Sequence, residues 1–334
     1  MKNRASTVAY VVLLAFGLVL PFTGIYPVLA MQLLCFALFA CAFNLLLGFA
    51  GMLSFGHAAF FGFAAYVTSW LVNTHAWGPV EAIVAGVVVA AAMGLVIGAI
   101  AIRRQGIYFA MITLALAQLV YFVCLQAPFT GGENGIQGVK RGLLLGLVSL
   151  RPDVNMYYFV LAVSVGVFLF IRRIVHSPYG QVLKAIRENE PRAVSLGYDI
   201  NRYKLLAFVL SAAIAGLAGS LKSLTLGLAT LTDVQSGTSG EVILMTLLGG
   251  TGTFFGPVLG AFIVVGLQNV LADLVGPWVN VILGAIFVVC VTGFRRGIVG
   301  EALAWQARRR QRRAAAGAPA ASAAATAAPP TPGS

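Results

Sequence analysis

RRIVHSPYGQVLKAIRENEPRAVSLGYDINRYK, residues 172 to 204, is the longest polar stretch between apolar runs in this chain. Ser177 can cap a helix with Pro178 in its first position, which predicts a helical run to about Glu188. Asn189 or Glu190 ahead of Pro191 can start a second short helix, and Gly197 fits its C-terminal stop. Asp199 or Asn201 can then cap the element that follows. On this reading Lys184, Arg187, Glu188, Glu190 and Arg192 are exposed, while Val182, Ile186, Val194 and Leu196 supply apolar contacts. A plain solvated connector is the simpler alternative, but connections in compact proteins are shorter, about 4–6 residues at the median. Two capped helices in a connector point to a docking surface.

What flanks the loop sets the class. Of 334 residues, 60% are hydrophobic and only 10% charged, with a mean hydropathy of +0.92. A soluble domain needs more polar surface than that, so the bilayer is the solvent. Apolar runs near the length a membrane helix needs, about 20 residues, recur at Val8–Phe22, Met31–Leu47, Phe55–Val72, Pro79–Ile102 and Ile107–Gln126. They continue at Asn155–Ile171, Lys204–Leu226, Glu241–Gly250, Pro257–Asp273 and Pro277–Phe294, the eighth being too short to cross alone. The fold expected is an all-α integral membrane protein of about ten transmembrane helices, some short or broken. Val8–Phe22 after Lys2 and Arg4, with Val28-Leu29-Ala30 beyond, resembles a signal peptide. The apolar run resumes at Met31, so the segment is read as a retained span.

Threading ten helices with the N-terminus inside leaves Lys140, Arg141, Arg151 and Lys222 outside and the other eighteen of the 22 basic residues inside. That asymmetry, carried by Lys and Arg alone, predicts cytoplasmic N- and C-termini. The net charge of +12 is therefore a topology signal, and nucleic-acid binding is not inferred from it. Residues 1–296 form the membrane domain, with the loop at 172–203. Residues 297–334 are a tail, basic at Arg308-Arg309-Arg310 and Arg312-Arg313 and then Ala/Pro-rich. The arginines are placed to meet anionic lipid headgroups, and the end is expected to be disordered.

Two Gly-rich segments interrupt the spans. LLGFAG (Leu46–Gly51) is followed by Ser54-Phe55-Gly56-His57, and LLGGTG (Leu247–Gly252) by Phe255-Gly256-Pro257. Broken helices at corresponding positions in two halves mark a transporter's pathway, so Gly48, Gly51, Gly56, Gly249, Gly252 and Gly256 are hinge or packing candidates. Gly252, Gly256 and Gly260 also have the four-residue spacing of close helix contacts. Ser54, His57, Tyr66, Tyr108, Thr113, Gln118 and Glu241 are polar residues able to face a path. His57 is alone, and a solitary histidine is more often a packing residue. Cys35, Cys41, Cys124 and Cys290 lie in apolar runs without CxxC spacing, which reads as buried thiols and no metal site. Gly131-Gly132-Glu133-Asn134-Gly135 has turn chemistry, but Gly138-Val139-Lys140 breaks phosphate-loop spacing, so nucleotide binding by this chain is rejected. No clustered acid, base or nucleophile supports an enzyme.

With these segments quoted, a resemblance emerges. Ser177–Gly219, Gly51–Tyr66 (GMLSFGHAAFFGFAAY), Gly106–Gln118 (GIYFAMITLALAQ) and Gly240–Ala261 (GEVILMTLLGGTGTFFGPVLGA) resemble, in matching order, the branched-chain amino acid permease family of ABC importers, specifically its longer permease type. The resemblance covers most of Leu33–Arg296. It implies a heterodimer with a second homologous permease in the bacterial inner membrane. Two cytoplasmic ATPases would bind the ATP and Mg, leaving no cofactor on this chain. A periplasmic binding protein would deliver leucine, isoleucine or valine. It further implies that Ser177–Gly197 is the coupling element, with Gly197 its motif glycine and Ser177, Lys184, Arg187, Glu188, Asn189 and Arg192 belonging to it. A sister importer for urea or short amides shares these motifs, and a self-sufficient secondary transporter or channel is the alternative of another class.

Overall fold

The computed structural model describes residue 17 and residues 26–144, 148–293 and 297–301. Apart from Gly17, the expected span Val8–Phe22 lies outside the described residues, as do the Arg295-Arg296 pair and the tail beyond residue 301.

Helix α1 (Pro27–Asn44) opens on a proline in its first turn, where a missing N–H costs nothing, and runs straight into a π-helical segment, Leu45–Ala50. Gly51, at φ 73°, ends it in a left-handed conformation that glycine adopts without penalty. The chain then travels without regular structure to Gly56 before α2 (His57–His75) begins. Helices α3 (Pro79–Ala101), α4 (Ile107–Gln126) and α5 (Asp153–His176) follow, then the loop helices α6 (Pro178–Glu188) and α7 (Glu190–Ser195). Helix α8 (Ile200–Leu226) is followed by α9 (Ser236–Gly249), α10 (Gly256–Val275) and α11 (Val279–Gly293). Among the described residues, five helices are long and apolar enough to cross a membrane: α1 with its π segment, α3, α4, α5 and α8. The expectation of about ten crossings also counts shorter or less apolar segments, of which α9 spans only 14 residues.

Burial sorts the helices. In their most apolar stretches α1 is 89% buried and α8 67%, against 33% for α3, α4 and α5. So α1 and α8 form the centre and the other three each keep a face outward. Helix α8 packs on α1, α2 and α3, and α9 and α10 pack on each other and on α1. The α3–α8 contact is a ladder of small residues: a Cβ on Gly94 would lie 2.5 Å from that of Ala212, and one on Gly86 would lie 2.5 Å from the Ser220 hydroxyl. Four-residue spacing lets two backbones approach closely without bulky side chains between them.

At the end of the bundle away from the 172–204 loop, short strands β1 (Ile136–Gln137) and β4 (Leu228–Ala229) pair antiparallel, while β2 (Leu143–Leu144) and β3 (Val148–Ser149) form a second pair. Arg141 donates to the carbonyls of Leu224 (3.2 Å) and Thr225 (2.5 Å), groups that the end of α8 leaves without helical partners. Lys222 and Asp233 form a buried ion pair, and Asp233 also accepts from the Thr230 backbone N–H, closing a cap over its own turn.

Candidate functional site

The loop folds as two capped helices. The Ser177 hydroxyl accepts from Gly180 N–H and donates to Ile174 O at 2.7 Å, with Pro178 in the first turn. Asn189, rather than Glu190, caps α7 by accepting from Arg192 N–H at 3.1 Å. Asp199, rather than Asn201, caps α8. Gly197 has φ 85°, and its N–H and that of Tyr198 close on the carbonyls of Val194 and Ala193. A side chain at that φ would be strained. Ile186, Ala193 and Ile200 form a small core with Val182 and Tyr203 against it. Tyr179 stacks on Tyr203 at 5.5 Å and donates to its carbonyl at 2.9 Å, and burial pushes the Tyr179 phenol well above its usual range. Val194 and Leu196, expected to pack, are 59% and 67% exposed. The reason is geometric: α7 has six residues, Ala193 takes its inward position, and its neighbours point away.

The same loop is tied to the bundle by polar contacts. Lys184 lies 5.8 Å from the Phe49 ring, and Arg187 donates to Gly48 O, both in the π segment that ends α1. Glu190 accepts from Gln105 in the α3–α4 turn and pairs with Lys204 of α8, each at 2.8 Å. So Lys184 is half-buried against the π segment, while Arg187 contacts that segment and still stays exposed, as do Glu188 and Arg192.

Arg187 reaches the place where the two Gly-rich segments meet. Asn44 spans them, its amide donating to Thr253 O at 3.0 Å and its carbonyl accepting from Gly252 N–H at 2.9 Å. A Cβ on Gly48 would sit 2.6 Å from Gly252 N, and one on Gly256 would sit 2.6 Å from Gly250 O. Gly249 likewise abuts the backbone of Gly256. Segments far apart in sequence therefore form one contact under the loop. Asn44 escaped sequence reading because it sits in an otherwise apolar run; its one signal is an amide immediately before the LLLG break.

The unwound stretch from Gly51 to Gly56 and the first turn of α2 find side-chain partners, one local and two on other helices, since backbone at membrane depth must be satisfied within the protein. Phe55 N–H donates to Thr113 Oγ1 at 3.2 Å, Gly56 N–H to Ser54 Oγ at 3.2 Å, and Ala58 N–H to Ser239 Oγ at 3.0 Å. His57 sits in a box of Phe43, Phe60 and Phe208, its Nε2 2.8 Å from Ser211 Oγ. Ser211 gives its only proton to Ala42 O at 2.6 Å, so His57 Nε2 is the donor and Nδ1 carries the lone pair. That Nδ1 is buried without a partner, as is the Tyr66 hydroxyl. Ser211 lies near the middle of α8, so α2 starts about halfway along the bundle. Of the remaining path candidates, Tyr108 is 68% exposed on α4, and Glu241 is half-buried, accepting from Gln268 at 3.2 Å. The structure therefore brings Ser54, His57 and Thr113 together and leaves Tyr66, Tyr108 and Glu241 apart from them.

Residues 27–291 match the family described as branched-chain amino acid transport system / permease component. The chain belongs to this permease family. The permease is 29% identical over 279 residues to the high-affinity branched-chain amino acid transport system permease protein LivM of Escherichia coli (strain K12), across 77% of this chain and 65% of that one. It is 30% identical over 218 residues to the probable branched-chain amino acid transport permease protein LivM of Methanocaldococcus jannaschii, across 63% and 62%. It is 26% identical over 179 residues to the xylose transport system permease protein XylH of Escherichia coli (strain K12), across 50% and 44%. The permease thus spans slightly under two thirds of the first relative's length. No solved structure matches it. Family membership and the apolar helices together make it a multi-pass membrane protein.

Proposed function

We propose that this permease is one of the two membrane subunits of an ATP-driven importer for leucine, isoleucine and valine. It would lie in the bacterial inner membrane with its described loop and both termini in the cytoplasm. A second homologous permease, two cytoplasmic ATPases and a periplasmic binding protein complete the assembly, and all ATP and Mg chemistry belongs to the ATPases. The observation that carries the reading is the 172–204 loop: it is rigidly capped, exposes Glu188, Arg192, Val194 and Leu196, and holds the break in α1 through Arg187 and Gly48. A docked ATPase pressing on that surface moves α6, and α6 moves the point where the two Gly-rich segments touch. Such a gate changes access only if the ATPase dimer binds its two states with different affinity.

Substituting the exposed pair, Glu188→Ala with Arg192→Ala, tests this in the reconstituted complex. The expected result is ATP hydrolysis that no longer drives leucine uptake, with normal membrane insertion. Coupling unchanged from wild type would overturn the assignment.

A further inference from the structure

Beside the loop, a cavity of about 680 Å³ opens between the unwound Gly51–Phe55 segment, the α3–α4 turn and α6. That volume falls within the range of about 300–1,000 Å³ typical of small-molecule sites. Three features of its wall bear on what it holds. First, it carries cations without acids to match. Lys204 and Glu190 neutralise each other, but the Arg104 guanidinium has no hydrogen-bond or ion-pair partner among the described residues, and Arg187 is paired with no described carboxylate, its guanidinium donating to Gly48 O. Gly106 starts α4 with no side-chain cap, so backbone N–H groups at that end of the wall are also available to a carboxylate. Second, Gly51, Met52, Leu53 and Phe55 line it, and their carbonyls accept no hydrogen bond from any other described residue. Third, the rest of the wall is aliphatic and aromatic, with Ile102, Ile107 and Ile186 among its residues.

We propose that this cavity is a binding site for an aliphatic α-amino acid zwitterion at the loop end of the permease. The carboxylate lies against Arg104 and Arg187, the ammonium against the open carbonyls of the unwound segment, and the branched side chain against the isoleucines. Unwound backbone facing one charge of a substrate and a helix start facing the other is a recurring way to hold small solutes at broken helices. An anionic lipid headgroup would use the cations alone and leave the row of carbonyl acceptors unmet. Arg187 is shared between the cavity wall and the Gly48 contact, so filling the site and moving α6 are coupled through one side chain. The inference rests on the importer reading for the identity of the solute, not for the existence of the site.

The test is protection of a reporter cysteine, Ile107→Cys, in the chain held in nanodiscs, read as maleimide labelling above the wild-type level with no ATP present. L-leucine is expected to slow labelling saturably, whereas isoamylamine, which lacks the carboxylate, does not. Arg104→Gln raises the half-protecting leucine concentration about tenfold or more, the loss of one charge-assisted hydrogen bond, and Arg104→Lys recovers part of it. Protection by phosphatidylglycerol in the disc but not by leucine would overturn the proposal in favour of a lipid site. No protection by either would overturn it outright. ATP-driven leucine uptake by the full complex is measured in parallel. Uptake without protection sinks this site alone, and protection without uptake leaves the site standing while the importer reading falls.

Discussion

The two ends of the helix bundle are closed by different chemistry. Away from the loop, a buried Lys222–Asp233 ion pair, an arginine across the last carbonyls of α8 and the β1–β4 pairing lock neighbouring segments through charge and paired backbone. At the loop end, closure combines the Glu190–Lys204 pair, whose carboxylate stays partly exposed, with side chains that reach backbone at the helix breaks: Arg187 to Gly48, and Asn44 to Gly252 and Thr253. A buried pair cannot be opened without stranding a charge, whereas one net hydrogen bond is worth about 1 kcal/mol and can be exchanged for another. The first end is built to stay shut as a unit, and the second to be rearranged by whatever presses on α6.

That contrast can be broken most severely at the ion pair. Lys222→Met leaves the Asp233 carboxylate buried and alone, and thermal unfolding in detergent is expected to show a loss of about 3–5 kcal/mol. Adding Asp233→Leu restores most of it, because an apolar pair of similar volume strands no charge. The next cost is expected from Gly249→Ala, whose new Cβ would sit 1.8 Å from Gly256 O and press on rigid backbone. Overpacking of this kind costs about 1–3 kcal/mol and is read in the same unfolding experiment. Asn44→Ala removes both bridging hydrogen bonds and leaves Gly252 N–H and Thr253 O to find other partners, again about 1–3 kcal/mol. Asn44→Ala should also separate the two Gly-rich segments, which a crosslink between cysteines placed on them would report. A stability loss at Lys222 no larger than that at Asn44 would erase the difference between the ends.

The smallest effect is pH-dependent and confined to the loop. Burial holds the Tyr179 phenol above its usual range, with Tyr203 adding to the shift. Once pH passes the ordinary tyrosine value of about 10, the unfolded loop sheds a proton that the folded loop keeps, so stability falls as pH rises. Local proteolysis of the loop should therefore accelerate at alkaline pH, and Tyr179→Phe should flatten that dependence.

Much of this was legible in the chain because the signals were local. Ser177, Asn189, Asp199 and Gly197 each announce a cap or a stop within a few residues, and the apolar runs from Pro79 to Gln126 match α3 and α4 closely. What escaped depends on tertiary placement. Nothing near Asn44 in sequence indicates that its amide faces Gly252, more than two hundred residues away. Gln105 reads as an ordinary turn residue until Glu190 is brought to it. Val194 and Leu196 read as packing residues, and only the shortness of α7 turns them outward. The Gly86, Ala90, Gly94 and Gly98 ladder was written plainly at four-residue spacing, but its partner face on α8 appears only when the helices meet. The path candidates divided for a similar reason. Ser54 and Thr113 look available in one dimension, yet the unwound Gly51–Gly56 backbone uses both as acceptors.

The central claim is that the loop drives the break in α1 through Arg187. It is tested most directly by the number of leucine molecules moved per ATP hydrolysed in proteoliposomes carrying the complete transporter, compared between wild type and Arg187→Gln. The account predicts that hydrolysis continues while the ratio falls about tenfold, the weight of one charge-assisted contact. An unchanged ratio, with the variant inserted and assembled normally, would contradict it.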